Sequence, residues 1–302
     1  MPRPKTGKPL DGIVLLDKPL GLSSNAALQR VKRLFNARKA GHTGSLDPLA
    51  TGVLPICFGE ATKVSSLLLD SDKRYTAIAT LGETRRTGDK EGDVLETREI
   101  PTLSQESIEA VLAQFRGDIE QIPPMHSALK HEGTPLYKLA RKGVSVARKT
   151  RQVHIYELNL LAYTTDTLTL DVKCSKGTYI RTLVEDIGEA LGCGAHLSYL
   201  RRTEVFPFAG HTIYTMQTLE ALAEKSALAD TLLSTDTAIA HWPMLNLSEH
   251  DTQRLCHGLR VTRDNLPDAA GIRLYDPAGK FIGIGQRHAS GQLAAKRLMR
   301  TN

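Results

Sequence analysis

The stretch that most constrains this chain is residues 41–52, which read GHTGSLDPLATG. The stretch has neither helical nor strand periodicity. Its glycines permit backbone angles that other residues resist, and Pro48 disfavours the helical region for Asp47 before it. The stretch is therefore predicted to be a loop that presents Asp47. The alternative is an ordinary Asp-Pro turn on the surface.

Core elements are predicted on both sides of this loop. Residues 12–16, GIVLL, read as a short buried strand, and a helix with Leu28 and Val31 at helical spacing follows it, capped by Ser23 or Ser24. Residues 53–58, VLPICF, resemble a second buried strand. Asp47 is therefore expected on the connection between two core elements.

Further strands and helices are predicted along the rest of the chain. The strands cover residues 73–81, with Tyr75 near the start, and residues 153–161, 167–174, 197–203, 272–275 and 281–284. The helices cover residues 105–116, the segment after Gly177, and residues 217–232 and 248–257. The polar residues 81–92 read as a loop that carries a second carboxylate, Asp89. Residues 1–10 are predicted to be disordered, and a domain boundary is expected shortly after Pro243.

Arg181 stands in the first turn of the helix predicted after Gly177. A helix N-terminus favours acidic side chains, so an arginine there is expected to serve a partner outside the helix, such as a buried carboxylate. The alternative is a surface arginine that extends from the helix end into water.

The chain is basic, with 39 Lys and Arg against 33 Asp and Glu, a formal net charge of +6. The excess is concentrated between residues 130 and 151, where the only acid is Glu132 and the bases are Lys130, Lys138, Arg141, Lys142, Arg148, Lys149 and Arg151. We expect this cluster to bind backbone phosphates, because each neutralised phosphate releases condensed counterions. The alternative is a solvated basic helix over residues 136–142.

Several classes of protein are disfavoured. The cysteines lie far apart and form no Cys-x-x-Cys pair, which favours a reducing cytoplasm over a disulfide framework or a zinc ribbon. No signal peptide or membrane-spanning stretch is recognisable, so no membrane partner is expected. His42 and Asp47 could both ligate a metal, but no third ligand stands at a recognisable spacing, and we expect no metal.

Ordered motifs along most of the chain resemble the bacterial tRNA pseudouridine-55 synthases, the TruB family. Residues 41–55 resemble the catalytic-aspartate motif of that family, and residues 17–24 resemble its first motif. Lys73-Arg74-Tyr75 matches the segment of the active-site tyrosine. The remaining motifs follow in the expected order at residues 81–92, 123–130, 176–181 and 200–203.

The resemblance implies isomerisation of one uridine to pseudouridine in the T-loop of tRNA, without cofactor or metal. It implies that Asp47 is the catalytic carboxylate, that Arg181 is its ion-pair partner, and that Tyr75 stacks on the target base. Whether Asp47 adds to the base, attacks the sugar or removes a sugar proton stays open. The resemblance also implies substrate-binding residues, which are His42, Tyr179, Leu200, Lys18 and Asp89.

The resemblance further implies an α+β fold with a central mixed, mostly antiparallel sheet flanked by helices. Residues 1–243 are expected to form the catalytic domain, with a basic thumb inserted at about 124–152. Its RNA-backbone contacts are expected at Lys130, Arg141, Lys142, Arg148, Lys149 and Arg151. Residues 244–302 are expected to form a small PUA-like RNA-binding β domain. The expected partner is the T-arm of tRNA, bound by a cytoplasmic monomer.

Two other functions compete with this interpretation. A tRNA-folding chaperone would use the same surfaces without chemistry. The catalytic subunit of a guide-RNA pseudouridylation particle would perform the same chemistry on another RNA. His126 departs from the tyrosine that many family members carry, so it receives no role.

Overall fold

The structure is a computed structural model, and it describes residues 7–300. The principal strands of its large sheet are β1 (Gly12–Lys18), β2 (Ala40–His42), β3 (Ala50–Phe58), β4 (Lys73–Leu81), β7 (Gly117–Gln121), β10 (Arg151–Tyr163), β11 (Thr167–Cys174), β12 (Ala195–Val205) and β13 (Tyr214–Thr215). Two short hairpins are formed by β5 (Glu83–Arg85) with β6 (Val94–Thr97) and by β8 (Lys130–His131) with β9 (Thr134–Pro135). The C-terminal strands are β14 (Met244–Asn246), β15 (Ile272–Tyr275), β16 (Phe281–Arg287) and β17 (Leu293–Leu298).

The α-helices flank these sheets. They are α1 (Ser24–Leu34), α2 (Ser65–Leu69), α3 (Gln105–Ala113), α4 (Leu136–Ala140), α5 (Ile180–Ala190), α6 (Met216–Glu224) and α7 (Glu249–Cys256). Short 3-10 helices cover Gly59–Lys63, Leu228–Thr231 and Thr235–Ile239. Within residues 7–300, no helix combines the length and the apolar character needed to cross a membrane.

The large sheet has nine strands in the order β13-β1-β3-β12-β4-β11-β10-β7, with β2 paired to β3 at the side. The pairs β1–β13 and β3–β12 are parallel, and the other pairs in this sheet are antiparallel. Strands β14 to β17 form a separate four-stranded sheet. The predicted α+β fold, with a mixed and mostly antiparallel central sheet and a small C-terminal β part, is confirmed. Its likeness to PUA domains stays a prediction.

Helices α3 and α5 cover one face of the central strands. Their apolar side chains, such as Leu112 and Leu183, pack into one buried cluster with the inward residues of β4, β10, β11 and β12. Strand β4 alternates between buried and partly exposed residues along its whole length, as its sequence predicts. Tyr75 is on the buried side, 9% exposed.

Register aligns one row of residues across five strands of this sheet. Lys18 on β1 is opposite Gly52 on β3, and Gly52 is opposite Arg202 on β12. Arg202 is opposite Tyr75 on β4, which is opposite Val172 on β11. Residues paired across neighbouring strands point their side chains to the same face of a sheet. Three polar residues far apart in the sequence therefore lie side by side.

At Gly52 in this row, two strands approach each other closely. Its φ is +102°, and a Cβ atom there would collide with the carbonyl oxygen of Arg202 and lie 2.8 Å from its amide nitrogen. Only glycine combines this backbone angle with this clearance. Gly52 therefore sets the spacing between the strand that follows Asp47 and the strand that carries Arg202.

Some sequence predictions are wrong in detail. Residues 81–92 are predicted to be a loop, but Glu83–Arg85 pair with Val94–Thr97 as a hairpin. Strands β14 and β17 are not predicted, because their sequences show no clear alternation. They are defined by their pairing with β15 and β16. Of the segment predicted to be disordered, residues 1–6 lie outside the described residues, and Lys8 forms a β-bridge with Ala37. The helix predicted over 217–232 ends at Glu224, where Lys225 and Ser226 interrupt it.

The C-terminal sheet contacts the rest of the chain through specific hydrogen bonds. The Arg297 guanidinium donates to the Lys63 carbonyl over 2.7 Å, and the Lys63 ammonium donates to the Leu298 carbonyl over 2.8 Å. The Tyr275 hydroxyl donates to the Asp236 carboxylate over 2.6 Å. Ile284 of β16 also belongs to an apolar cluster shared with β1 and β3. The two parts are thus joined by both polar and apolar contacts.

Replacing Gly52 with alanine tests the close approach of β3 and β12. We expect Gly52→Ala to lower the free energy of unfolding by about 3 kcal/mol, because it adds overpacking and backbone strain at one position. The measurement is chemical denaturation monitored by circular dichroism. Gly41→Ala is the matched control, since its φ is not positive and its Cβ would meet only a Thr62 methyl at 4.0 Å. That change should stay within about 0.5 kcal/mol. Equal effects of both substitutions would contradict the expectation.

Candidate active site

Asp47 lies in the turn between β2 and β3, and neighbouring segments hold the backbone of that turn. The Ser24 hydroxyl accepts from the Leu46 amide over 2.7 Å and lies 2.9 Å from the Leu46 carbonyl. The Pro48 carbonyl accepts from the Gly21 amide over 2.8 Å. Ser23, rather than Ser24, caps helix α1, because its hydroxyl accepts from the Ala26 amide. The carboxylate of Asp47 is therefore supported by a fixed backbone.

Arg181 forms an ion pair with Asp47 over 3.0 Å, from its Nη2 atom to Oδ2 of the carboxylate. The arginine side chain is 7% exposed, whereas that of Asp47 is 48% exposed. The guanidinium also donates to the Thr87 carbonyl over 2.9 Å and to the His126 carbonyl over 2.8 Å. Arg181 is thus held from the inside of the protein, and Asp47 presents its carboxylate at the protein surface.

Asp89 is on the inner side of Arg181. Its carboxylate is 3.6 Å from Nη1 of Arg181, and its side chain is 6% exposed. It accepts from the Thr87 hydroxyl over 2.6 Å and from the Glu91 amide over 3.1 Å. Burial raises the pKa of the nearby Glu185 carboxyl to about 7, and Arg181 opposes that rise. Arg181 therefore faces carboxyl groups from several segments.

Tyr75 and Leu200 come from adjacent central strands. Burial raises the pKa of the Tyr75 hydroxyl, and the neighbouring Arg202 guanidinium opposes the rise. Leu200 is 8% exposed and lies opposite both Ala50 and Ala77, between the strand after Asp47 and the strand of Tyr75. An aromatic and an apolar side chain therefore lie on neighbouring strands, next to the strand that follows Asp47.

Tyr179 is the N-cap residue of α5, two residues before Arg181. The Gln121 side chain fixes its backbone: it accepts from the Tyr179 amide over 3.0 Å and donates to its carbonyl over 3.2 Å. The Arg151 guanidinium lies over the Tyr179 ring, 5.7 Å from its centroid. Arg151 of the predicted thumb therefore contacts Tyr179, which is predicted to bind substrate.

Lys18 is fully buried, and its ammonium donates to the Pro19 carbonyl over 2.8 Å and the Leu22 carbonyl over 2.6 Å. Burial lowers its pKa to about 8, while the Asp47 charge acts in the opposite direction. His42 is half-buried, and burial together with Arg202 lowers its pKa. Its Nδ1 atom is buried and makes no hydrogen bond within the described residues. This ring nitrogen is therefore enclosed by the protein and has no partner in the part of the chain that the structure describes.

The basic segment 130–151 lies beside this site, since Arg151 contacts the Tyr179 ring. Between residues 7 and 300, none of its bases forms an ion pair with an acidic side chain. The exposed bases among the predicted backbone contacts are Lys130, Arg141, Lys142 and Lys149. Arg148 and Arg151 are only partly exposed, because they donate to the Pro123 and Gly177 carbonyls. The segment therefore carries charge that the protein itself leaves uncompensated.

Sequence reasoning missed two buried cations of the site. Arg202 is 1% exposed and Lys73 is 8% exposed. Burial, together with the Arg202 charge, lowers the pKa of Lys73 to about 8. Both residues stand within motifs that carry the family resemblance, beside Arg201 and Tyr75. The signal was present, but only the strand register shows which arginine of the pair points inward.

Three family models match consecutive parts of the chain. The TruB family pseudouridylate synthase N-terminal domain matches residues 32–180. The tRNA pseudouridylate synthase B C-terminal domain matches residues 181–240, and the pseudouridine synthase II TruB C-terminal model matches residues 243–299. Together they cover most of the chain.

Curated relatives match nearly the full length. A tRNA pseudouridine synthase B from Pseudomonas fluorescens is 55% identical over 295 residues, which cover 97% of this chain and 96% of that protein. The protein of the same name from a Marinomonas species is 55% identical over 281 residues, covering 92% and 91% of the two chains.

Solved structures share the fold. A chain in the crystal structure of a Cbf5-Nop10-Gar1 complex matches with a TM-score of 0.73 at 25% identity, covering 96% of this chain and 84% of that chain. A chain in the structure of an H/ACA RNP bound to a substrate RNA containing 2'-deoxyuridine matches with a TM-score of 0.73 at 22% identity, covering 100% and 92%. The family models and the near-full-length identity carry the assignment: the chain belongs to the TruB family of tRNA pseudouridine synthases and is an isomerase.

Proposed function

We propose that this enzyme converts one uridine in the T-loop of tRNA, at position 55, to pseudouridine, with Asp47 as the catalytic carboxylate. The observation that carries the proposal is the ion pair between a half-exposed Asp47 and a buried Arg181, 3.0 Å apart. An adjacent guanidinium can orient a carboxylate through a charge-assisted hydrogen bond. The ion pair thereby holds Asp47 in position to act as a nucleophile or a base.

The reaction rearranges one nucleotide without an external reactant. The bond between N1 of uracil and C1′ of the ribose breaks, the base turns, and a bond between C5 and C1′ forms. The C5 proton leaves and N1 gains a proton, so atoms and charges balance. A base in a folded loop must leave its stack for this chemistry, which requires a few kcal/mol. Stacking on Tyr75 beside Leu200 would offset part of that requirement.

His42 and Tyr179 are assigned to substrate binding. His42 is partly exposed at the end of β2, where the chain enters the Asp47 loop, and this position supports a contact with the opened RNA loop. Tyr179 lies between Arg151 of the basic segment and Arg181 of the ion pair, which supports a position at the junction of pocket and thumb. Lys18 and Asp89 surround the site, since they bear charge next to Asp47 and Arg181 respectively.

The basic segment 130–151 is assigned to the phosphate backbone. Its lysine and arginine side chains lack acidic partners within the described residues, and they lie beside the site of Asp47 and Arg181. The exposed cations therefore carry the cost of mutual repulsion in the free protein, and a polyanion would relieve it. We further assign residues 244–302 to a second RNA contact of the PUA type.

The identity to relatives favours tRNA over a guide-RNA particle. Near-full-length relatives at 55% identity are named tRNA pseudouridine synthase B, whereas the particle chain in the H/ACA RNP structure is 22% identical and indicates only the fold. Folding of tRNA by the same surfaces is compatible with the enzyme reaction.

Removing the Asp47 charge tests the catalytic assignment. A T-arm stem-loop labelled with tritium at uridine C5 should release tritium to water in excess of the enzyme present. Asp47→Asn should reduce this release by several orders of magnitude, because a catalytic carboxylate is lost, while RNA binding is retained. Binding is measured by filter retention of the same RNA. Unchanged release by Asp47→Asn would overturn the role of Asp47.

Removing Arg181 separates its role toward Asp47 from a phosphate contact. Arg181→Met should reduce the turnover rate about 10²-fold or more, since the carboxylate loses its orientation, with little change in RNA affinity. Steady-state rates and the dissociation constant Kd are the measurements. Arg30→Met is the control, because Arg30 of α1 forms an exposed ion pair with Glu220 of α6. A loss confined to affinity would indicate that Arg181 binds phosphate.

Removing charge from the basic segment tests the thumb. In the variant Arg141→Gln/Lys142→Gln/Lys149→Gln, the slope of log K against log salt should fall by about one for each phosphate that the protein no longer neutralises. The measurement is the Kd for the stem-loop at several salt concentrations. The control is Lys225→Gln, a base on the connection after α6. An unchanged slope in the triple variant would mean that the segment is only a solvated basic surface.

A further inference from the structure

Arg202 is a buried guanidinium without an acidic partner. It is 1% exposed, and no carboxylate within the described residues lies within 4.0 Å of it. An arginine cannot neutralise itself by losing a proton, so a buried one must be satisfied by hydrogen bonds. The N–H groups of Arg202 must therefore find hydrogen-bond acceptors inside the protein.

The donors of Arg202 hold both sides of the Asp47 loop. Nη2 donates to the Gly44 carbonyl over 3.0 Å, three residues before Asp47. Nε donates to the Val53 carbonyl over 2.7 Å, after the loop has entered β3. A planar guanidinium can hold two carbonyls in a fixed relation, which an ammonium cannot. One side chain thus connects the start and the end of the loop.

Two glycines of the loop leave room for Arg202. A Cβ at Gly44, whose φ is +77°, would lie 3.3 Å from Nη1 of Arg202. Gly52 allows β3 to approach the Arg202 backbone, because a Cβ there would collide with its carbonyl oxygen. The two glycines that flank Asp47 most closely are therefore both in contact with Arg202.

Arg202 is also the neighbour of Tyr75. The two residues are opposite each other on β12 and β4, and the Arg202 charge acts on the Tyr75 hydroxyl against the effect of burial. Arg201, one residue earlier, has a different environment. It forms a bidentate pair with Asp17 and is 36% exposed. The consecutive arginines thus serve different faces of the sheet.

We propose that Arg202 is a positioning residue for catalysis, which fixes the Asp47 loop relative to the strand of Tyr75. Through the carbonyls of Gly44 and Val53 it sets the distance between the carboxylate and the aromatic ring that are assigned to the flipped base. The inference rests on the proposed function, because it concerns the placement of Asp47 and Tyr75. A displacement of about 1 Å at such a site reduces rates about 10²-fold.

The test compares Arg202→Met, Arg202→Lys and the control Arg201→Met. The readouts are the single-turnover rate of tritium release from C5-labelled stem-loop at saturating enzyme, the Kd for the same RNA, and the thermal melting transition. Arg202→Met should lower the rate about 10²-fold with Kd almost unchanged. Arg202→Lys should recover part of the rate, since it keeps the charge and one carbonyl contact. Arg201→Met should keep both rate and Kd, because within the described residues the Arg201 side chain pairs with Asp17 and makes no hydrogen bond to the Asp47 loop.

The outcomes separate the inference from a purely structural role. Equal losses of rate and affinity in Arg202→Met, or a rate no lower than that of Arg201→Met, would overturn it. If Arg202→Met does not melt cooperatively, Arg202→Lys decides: a reduced rate with unchanged Kd supports positioning, and an unaltered rate overturns it. If neither variant folds, Arg202 is a folding residue and the inference fails.

Failure of the proposed function would look different. Asp47→Asn would then release tritium like the unaltered protein, whatever the Arg202 variants do. A dead Asp47→Asn together with fully active Arg202 variants would reject only the role of Arg202.

Discussion

The ion pair between Arg181 and Asp47 is the interaction on which the organisation of this site depends. A guanidinium that is 7% exposed must have its N–H groups occupied, and the carbonyls of Thr87 and His126 take part of that requirement. Asp89 supplies a buried negative charge on the inner side. The part of the guanidinium that is left over faces Asp47. The arginine can therefore orient the carboxylate without itself being accessible to water.

The same ion pair links three parts of the chain that are distant in sequence. Asp47 comes from the β2–β3 turn, and Arg181 comes from the first turn of α5. The His126 carbonyl lies just before the basic segment in the chain. A movement of the backbone at His126 would change a hydrogen bond to Arg181. The contact between Arg151 and the Tyr179 ring gives a second connection from the segment to the site. RNA bound to the basic segment would therefore contact elements that are mechanically joined to the pocket.

The cations around the site of Asp47 fall into a buried group and an exposed group. The buried cations Lys18, Lys73 and Arg202 are held by backbone carbonyls, and burial lowers the pKa values of both lysines to about 8. The exposed cations of residues 130–151 lack acidic partners within the described part of the chain. Buried charge shapes the pocket through short hydrogen bonds, whereas exposed charge acts over about a Debye length on a polyanion.

The sequence by itself determined the elements and the chemistry that local patterns encode. The alternation of residues 73–81 identifies β4, the caps and apolar spacing identify α1 and α5, and Gly and Pro around Asp47 identify a loop that displays a carboxylate. The odd position of Arg181 at a helix N-terminus indicated a partner outside the helix, and the structure supplies Asp47 and Asp89. These features follow from interactions between residues close in the chain.

Only the tertiary structure decided which distant residues share a face and a site. Strand order and register align Lys18, Gly52, Arg202 and Tyr75 in one row, although they lie far apart in the sequence. Arg201 and Arg202 are the same residue type in adjacent positions, and nothing local to them tells which one is buried. A shift of one residue in register would exchange their faces, and register is set by the packing of the whole sheet. For that reason the loop around Asp47 could be recognised from the sequence, but the arginine that holds it could not.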